Sequence, residues 1–350
     1  MTNTYKNVYI KETATIGGIY EANGPLKKYL DKIYDKDFYY EEKSFEKAEV
    51  KLLKDSINLL LEKTSTKEED INLLIAGDLQ NQITASNYTV RDYNIPFLGI
   101  YNACATSGEG LIVGATFIEN KKNNNCIVAT SSHNMAAEKQ FRNPTEYGTP
   151  KPETSTFTVT GGASILLTNK KTKIKIESST VGRIIDKGIK DVNHMGAVMA
   201  PAAADTIYRH LTALKRTPSD YDMILTGDLG KYGKKILIDY LKKEHKLDIS
   251  KVYNDCGTMI YDTEKQPVLA GGSGPVCSAL VNFGYVYKLL LSKKVKRVLI
   301  VPTGALFSPT FFFQKESIPA IAHAISLEVT EKWHFFTPFY SAVQFVWYLN

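Results

Sequence analysis

Between positions 45 and 61, apolar residues recur three and four places apart: Ala48, Leu52, Leu53, Ile57, Leu60 and Leu61. That spacing lines one face of an α-helix. The charged run Lys67-Glu68-Glu69-Asp70 gives way to Ile71-Asn72-Leu73-Leu74-Ile75-Ala76, a stretch of strand length that ends at Gly77-Asp78-Leu79. A second short apolar run covers 97–101, after which Leu111, Ile112, Ala115 and Ile118 resume the helical period. A further strand is predicted over 126–131, and an entry strand over 5–19 closes at Gly17-Gly18. Strands alternating with helices predict an α/β fold, a largely parallel sheet covered on both faces.

The pattern then repeats. Positions 71–79 match 221–229, and Gly77-Asp78-Leu79 stands 150 positions before Gly227-Asp228-Leu229. The strand over 127–130 has a counterpart at 298–303, which follows a helix opening after Gly271-Gly272-Ser273-Gly274. Matched elements in one order predict an internal duplication. Two α/β halves are expected, 1–170 and 171–328, with a short atypical segment, 329–350, after them. The helix beginning near Cys104 would lie at their junction.

Composition narrows the function classes. At 350 residues and 43% hydrophobic, the chain can bury a large core. Its net charge of +6 comes from dispersed lysine pairs such as Lys170-Lys171 and Lys242-Lys243. Without interleaved aromatics these predict a solvated surface and no nucleic-acid partner, although an anionic ligand or membrane surface stays compatible. Cys104, Cys126, Cys256 and Cys277 form no CxxC pair, which argues against a disulfide framework or zinc site. Positions 1–11 are polar and predict no secretion signal.

Cys104 carries the main candidate chemistry. It falls on a strand-to-helix turn among Ala103, Ala105 and Gly108, small neighbours that leave the sulfur approachable. Free N–H groups and the positive end of a helix favour a thiolate or another anion there. A buried structural cysteine is the plainer alternative.

A duplicated α/β chain with such a cysteine resembles the thiolase-like fold that includes the β-ketoacyl synthases. Within it, the chain resembles the stage V sporulation AD family of spore-forming bacteria. The resemblance is carried by Ala103-Cys104-Ala105-Thr106-Ser107, Ser131-Ser132-His133-Asn134, Phe141-Arg142-Asn143-Pro144, Met199-Ala200-Pro201-Ala202, Asn254-Asp255-Cys256-Gly257 and Gln314-Lys315-Glu316-Ser317, spread over 5–328. It implies a non-enzymatic role in the spore inner-membrane machinery that moves dipicolinic acid (pyridine-2,6-dicarboxylate), with calcium, into the spore and out at germination. The implied partners are that ligand and membrane subunits. No cofactor is implied, calcium entering only as the ligand's chelate. The protein would sit peripherally on the membrane, and a homodimer follows by analogy.

Condensing enzymes of this fold pair the cysteine with His and Asn, or two His, from the second half. Here the corresponding turns read Gly227-Asp228 and Gly271-Gly272-Ser273-Gly274, so a binding pocket is expected. A planar dianion needs donors, cationic groups and an aromatic or apolar wall. The candidates are Cys104, Ser131, Ser132, His133, Asn134, Phe141, Arg142, Gly272, Ser273, Thr303 and Ser308. Plainer readings stand beside them: Ser and Asn after a strand make turns, and Arg142 can pair with Glu138 or Glu146. Asp78 and Asp228 are expected to brace loops. Two other functions remain open, an acyltransferase using Cys104 and a ligand-free scaffold of the membrane complex.

After Leu327 comes an aromatic stretch, Trp333-His334-Phe335-Phe336, unlike the family and too short and Pro-broken to span a bilayer. It is read either as an interfacial tail or as a replaced ending that leaves the last strand incomplete.

Overall fold

The computed structural model describes residues 1–121, 123–141 and 150–330. The first amphipathic segment forms α1 (Phe45–Thr64), capped by Ser44 Oγ, which accepts from Lys47 N–H, and closed by Ser65 in the left-handed region. Its apolar stripe packs Leu53, Ile57 and Leu60 against Leu74, Ile127 and Leu166 of the sheet.

Ten strands carry the architecture. β1 (Tyr9–Gly17), β2 (Leu73–Gly77), β3 (Phe97–Gly99), β4 (Asn125–Ser132) and β5 (Gly161–Thr168) come first. β6 (Ile174–Thr180), β7 (Met223–Thr226), β8 (Tyr253–Asp255), β9 (Arg297–Val301) and β10 (Ala324–Val329) follow. They form the main path of a twelve-stranded sheet in the order β8-β7-β9-β10-β6-β1-β5-β4-β2-β3. Read outward from the centre, the halves run β1-β5-β4-β2-β3 and β6-β10-β9-β7-β8, the same order twice. The directions also agree. In each half the outer three strands are parallel and the inner pairings antiparallel. The halves join where Tyr9 and Ile10 pair antiparallel with Lys175 and Ile174.

Between the halves lies α2 (Thr106–Glu119), which packs against the helical run 275–291. Ser107 and Ser278 share a 3.1 Å hydrogen bond across that contact. A central core gathers Leu111, Ile118, Val128, Leu280 and Ile300. A shorter helix, α3 (Asn134–Phe141), follows β4. Beyond the second half's sheet, α4 (Met195–Leu214) and α5 (Gly230–His245) cover a separate core with Ile207, Leu237 and Leu299.

The final strand corrects one expectation. β10 pairs with β9 on one side and β6 on the other through Glu328, so the second half does not lack its last strand. Thr330 N–H still donates to Lys173 O at 2.9 Å. The aromatic stretch from Trp333 lies outside the described residues. No helix among the described residues is long and apolar enough to cross a membrane.

Candidate functional site

Of the chain segments that meet at one cavity, five follow the carboxyl end of a parallel strand: Leu79 after β2, Cys104 after β3, Asn134 after β4, Asp228 after β7 and Ala305 after β9. Crevices of this kind are where open α/β sheets bind ligands. The volume is ≈ 960 Å³, within the range of small-molecule sites.

Cys104 sits on a tight elbow. Ala103 adopts φ +48°, and Thr106 Oγ1 accepts from Asn102 N–H at 3.0 Å while donating to Ala103 O at 2.6 Å. The Asn102 side chain meets His323 Nε2 at 2.8 Å, tying this turn to the second half. His323 Nδ1 also accepts from Gly182 N–H at 3.1 Å.

Opposite Cys104 stands Asp228, buried and at φ +46°. Its turn is held by Asp255, whose carboxylate accepts from Leu229 N–H at 2.9 Å, Gly230 N–H at 2.9 Å and Thr226 Oγ1 at 2.7 Å. The Asp228 carboxylate accepts from Gly274 N–H at 3.0 Å and Thr303 Oγ1 at 3.1 Å, and it hydrogen-bonds the Cys104 thiol. Gly274 has φ +97°, and a Cβ there would lie 2.9 Å from Ser132 Oγ, so the close approach of this backbone requires glycine.

The electrostatics reverse the expectation of a thiolate. Burial, and then the neighbouring Asp228 carboxylate, push the Cys104 thiol well above its ordinary range. Burial, with a contribution from Asp255, lifts Asp228 to about 7. Cys104 is therefore a neutral thiol hydrogen-bonded to a buried acid at neutral pH, since a carboxylate at contact outweighs the partial charge of a helix end. No histidine is among the described residues that line the cavity.

Of the candidates read from the sequence, Cys104, Asn134, Phe141 and Ser273 line this cavity. Gly272 pairs with Phe157 beside it. Thr303 stands one step behind, orienting Asp228 and donating to Gly227 O. The others point elsewhere. Ser131 Oγ donates to Glu49 at 3.1 Å and Ser132 Oγ to Val159 O at 2.7 Å. His133 Nδ1 accepts from Met135 N–H at 3.1 Å, which leaves Nε2–H to donate to Phe38 O at 2.9 Å. Its ring packs beside Tyr40 and Phe45, and burial lowers its pKa. Ser308 caps the short helix Pro309–Phe313 and borders a separate cavity of ≈ 350 Å³. Arg142 lies outside the described residues.

Three lining residues, Lys151, Met195 and Phe307, carried no sequence signal of their own, while Glu138, paired with Lys151 at 2.8 Å, and Met199 were noted in the sequence but not as site residues. Asp228 did carry one, through its repeat partner. Asp78 accepts from Ser86 N–H at 2.7 Å and Gln80 N–H at 2.8 Å and braces its loop as expected. The second copy is braced by Asp255 instead, which leaves Asp228 to face the cysteine.

Comparison with known proteins agrees with this architecture. The chain is similar in fold to a variant of Xanthomonas campestris OleA, at TM-score 0.57 and 12% identity over 93% of this chain and 99% of that one. It is also similar to 3-oxoacyl-[acyl-carrier-protein] synthase III from Aquifex aeolicus VF5, at TM-score 0.52 and 12% identity over 92% and 99%. Both place it among thiolase-like folds. Stage V sporulation protein AD of Bacillus subtilis (strain 168) is 46% identical over 321 residues, 92% of this chain and 94% of that protein. The sequence model of that family, Stage V sporulation protein AD, matches residues 2–328. The duplicated sheet, the cysteine at its junction and this match together establish that the chain belongs to the stage V sporulation protein AD family.

Proposed function

We propose that the chain is a non-catalytic binding protein for dipicolinic acid, taken as its calcium chelate. It would serve a membrane-associated complex that loads the ligand during sporulation and releases it at germination. The family supplies the sporulation role. The observation that carries the non-catalytic reading is Cys104 held as a thiol against Asp228, where acyl transfer needs a thiolate and a proton acceptor. The cavity offers apolar wall from Phe141, Phe307 and Met199, and donors from Asn134 and Ser273, which suit a planar aromatic diacid. With no helix among the described residues able to cross a bilayer, attachment would be peripheral and through membrane subunits. The deciding experiment is calorimetric titration of the folded protein with dipicolinate, with and without calcium, against benzoate as control. Saturable binding of dipicolinate alone among the acids supports the reading, and no binding removes it.

Retention of Cys104 at the cavity and the likeness to acyl-transferring enzymes favour one rival, transfer of an acyl group onto that sulfur. A mass increase of Cys104 after incubation with acyl-CoA would establish the rival.

A further inference from the structure

Lysines that are dispersed along the chain come together at one end of the fold. Both central helices point their amino ends at the cavity: α2 begins just after Cys104, and the run 275–291 just after Gly274. Their carboxyl ends lie on the far side of the molecule, roughly 20–25 Å away at 1.5 Å per residue. Lys121 follows the first helix and Lys294 the second. Beside them are the turn joining β5 to β6, with Lys170, Lys171 and Lys173, and Lys296 at the entry to β9.

Backbone hydrogen bonds hold these loops side by side. Asn169 N–H donates to Asn124 O at 3.0 Å, Thr330 N–H to Lys173 O at 2.9 Å and Val329 N–H to Lys296 O at 3.0 Å. All six lysines are exposed, and none is in an ion pair among the described residues. The acids nearby are spent. Glu119 accepts from Lys6 and Asn7 N–H, Asp222 from Lys296 and Arg297 N–H, and Glu328 is paired with Lys175 and Arg297. The acidic turn Glu68-Glu69-Asp70 borders the face where Asn125 Nδ2 donates to Asp70 O.

This charge exceeds what the fold needs. Lys121 and Lys294 offset the partial negative charge of two helix ends, but Lys170, Lys171, Lys173 and Lys296 have no such duty. Like charges gathered on one face repel, and an anionic surface laid against them relieves that repulsion. Neither cavity described above reaches this face, and lysine supplies point charges rather than the planar fork that reads bases. A flat anionic surface fits it better than a nucleic acid. From Thr330, within this face, the chain continues into a stretch with both of its tryptophans, a residue type enriched at bilayer interfaces. Positions 331–350 bring one Glu and one Lys, which leaves the lysine excess as it stands.

We infer that this lysine face docks on anionic phospholipid, with the cavity turned away from the bilayer. The inference rests on the membrane-associated reading above but not on its ligand, and it adds a direct lipid contact to attachment through membrane subunits. Each lysine close to an anionic bilayer is worth about fivefold in binding.

Sedimentation of the full chain with vesicles tests this, using phosphatidylcholine alone and phosphatidylcholine mixed with phosphatidylglycerol. Wild type should bind the anionic vesicles, leave the neutral ones, and lose about tenfold or more in affinity at high salt. Lys170→Gln/Lys171→Gln/Lys173→Gln should weaken binding about 100-fold, three fivefold losses together. The same three charges removed at Lys187, Lys231 and Lys235, on or against α5, should change it by less than about threefold. Circular dichroism melts check that both triple variants fold. Amine acetylation read by peptide mass locates the contact: anionic vesicles should protect Lys170, Lys171, Lys173, Lys294 and Lys296 and leave Lys231 and Lys235 reactive. No binding to anionic vesicles, equal binding to neutral ones, equal losses in the two triple variants or protection centred on α5 would each overturn the inference. So would tighter binding to double-stranded DNA than to anionic vesicles at matched phosphate concentration. None of these outcomes touches the ligand reading, because dipicolinate titration should be unchanged in the variant lacking Lys170, Lys171 and Lys173.

Discussion

The sharpest consequence concerns Asp228→Asn. Asparagine keeps one carbonyl oxygen for the Gly274 N–H, its amide can donate to Thr303 Oγ1, which still donates to Gly227 O, and it tolerates the φ of +46° at this position, so the turn should survive. What disappears is the charge beside Cys104. Two unit charges at about 4 Å in an effective dielectric of about 20 interact by roughly 4 kcal/mol. Removing that charge therefore lowers the thiol pKa. Burial, the larger cause of the raised value, is unchanged, so the thiol should move partway back toward the ordinary cysteine range. Alkylation by iodoacetamide from pH 6 to 10, read at Cys104 by peptide mass, reports the thiolate fraction. Cys256 and Cys277, fully buried, serve as internal controls. D228N should shift the midpoint downward and raise the rate at pH 8 by about tenfold or more. An unmoved midpoint in a folded variant would refute the claim that Asp228 holds Cys104 protonated.

Other expectations follow from the same contacts. Because the folded-state pKa of Asp228 is about 7, against 3.8 for a free carboxyl, its protonated form is favoured by folding. Stability from this group is therefore full below about pH 4 and declines as pH rises to 7, by at most about 4 kcal/mol. Asp255, raised to about 6, acts with the same sign, and denaturant melts at pH 5 and 8 should show a decline that D228N reduces. Thr303→Val removes the donor shared by Gly227 O and Asp228 and should cost about 1–3 kcal/mol in chemical denaturation. His133→Ala should destabilise by a similar amount through the lost bonds to Phe38 and Met135. Its dipicolinate affinity should stay within about threefold of wild type, and a larger loss would return His133 to the site.

How much was legible beforehand can be judged element by element. The helix predicted over 45–61 appears as α1 through Thr64, and the run from Ile71 as β2, because an amphipathic stripe and an unbroken apolar run each have one good burial solution. The Gly-Asp-Leu repeat foretold two halves of like topology. The local sequence around Cys104 correctly marked a strand-to-helix elbow but suggested the wrong charge state for its sulfur. That state is set by Asp228, a residue 124 positions away in the chain. In the same way Ser131, Ser132 and His133 read as a donor cluster, yet Ser131 and Ser132, successive residues of β4, face opposite sides and His133 lies just past the strand's end. They are spent on Glu49, Val159 and Phe38.

Sequence alone thus determined the elements, their duplication, the family and the place of the cysteine, since each is written in local periodicity or in contiguous strings. Only tertiary structure decided which donors face the cavity, that Glu138 meets Lys151 and that Asp228 meets Cys104. Charge states and free hydrogen-bonding groups depend on burial and on neighbours brought together by chain segments far apart. No spacing along the chain encodes those distances.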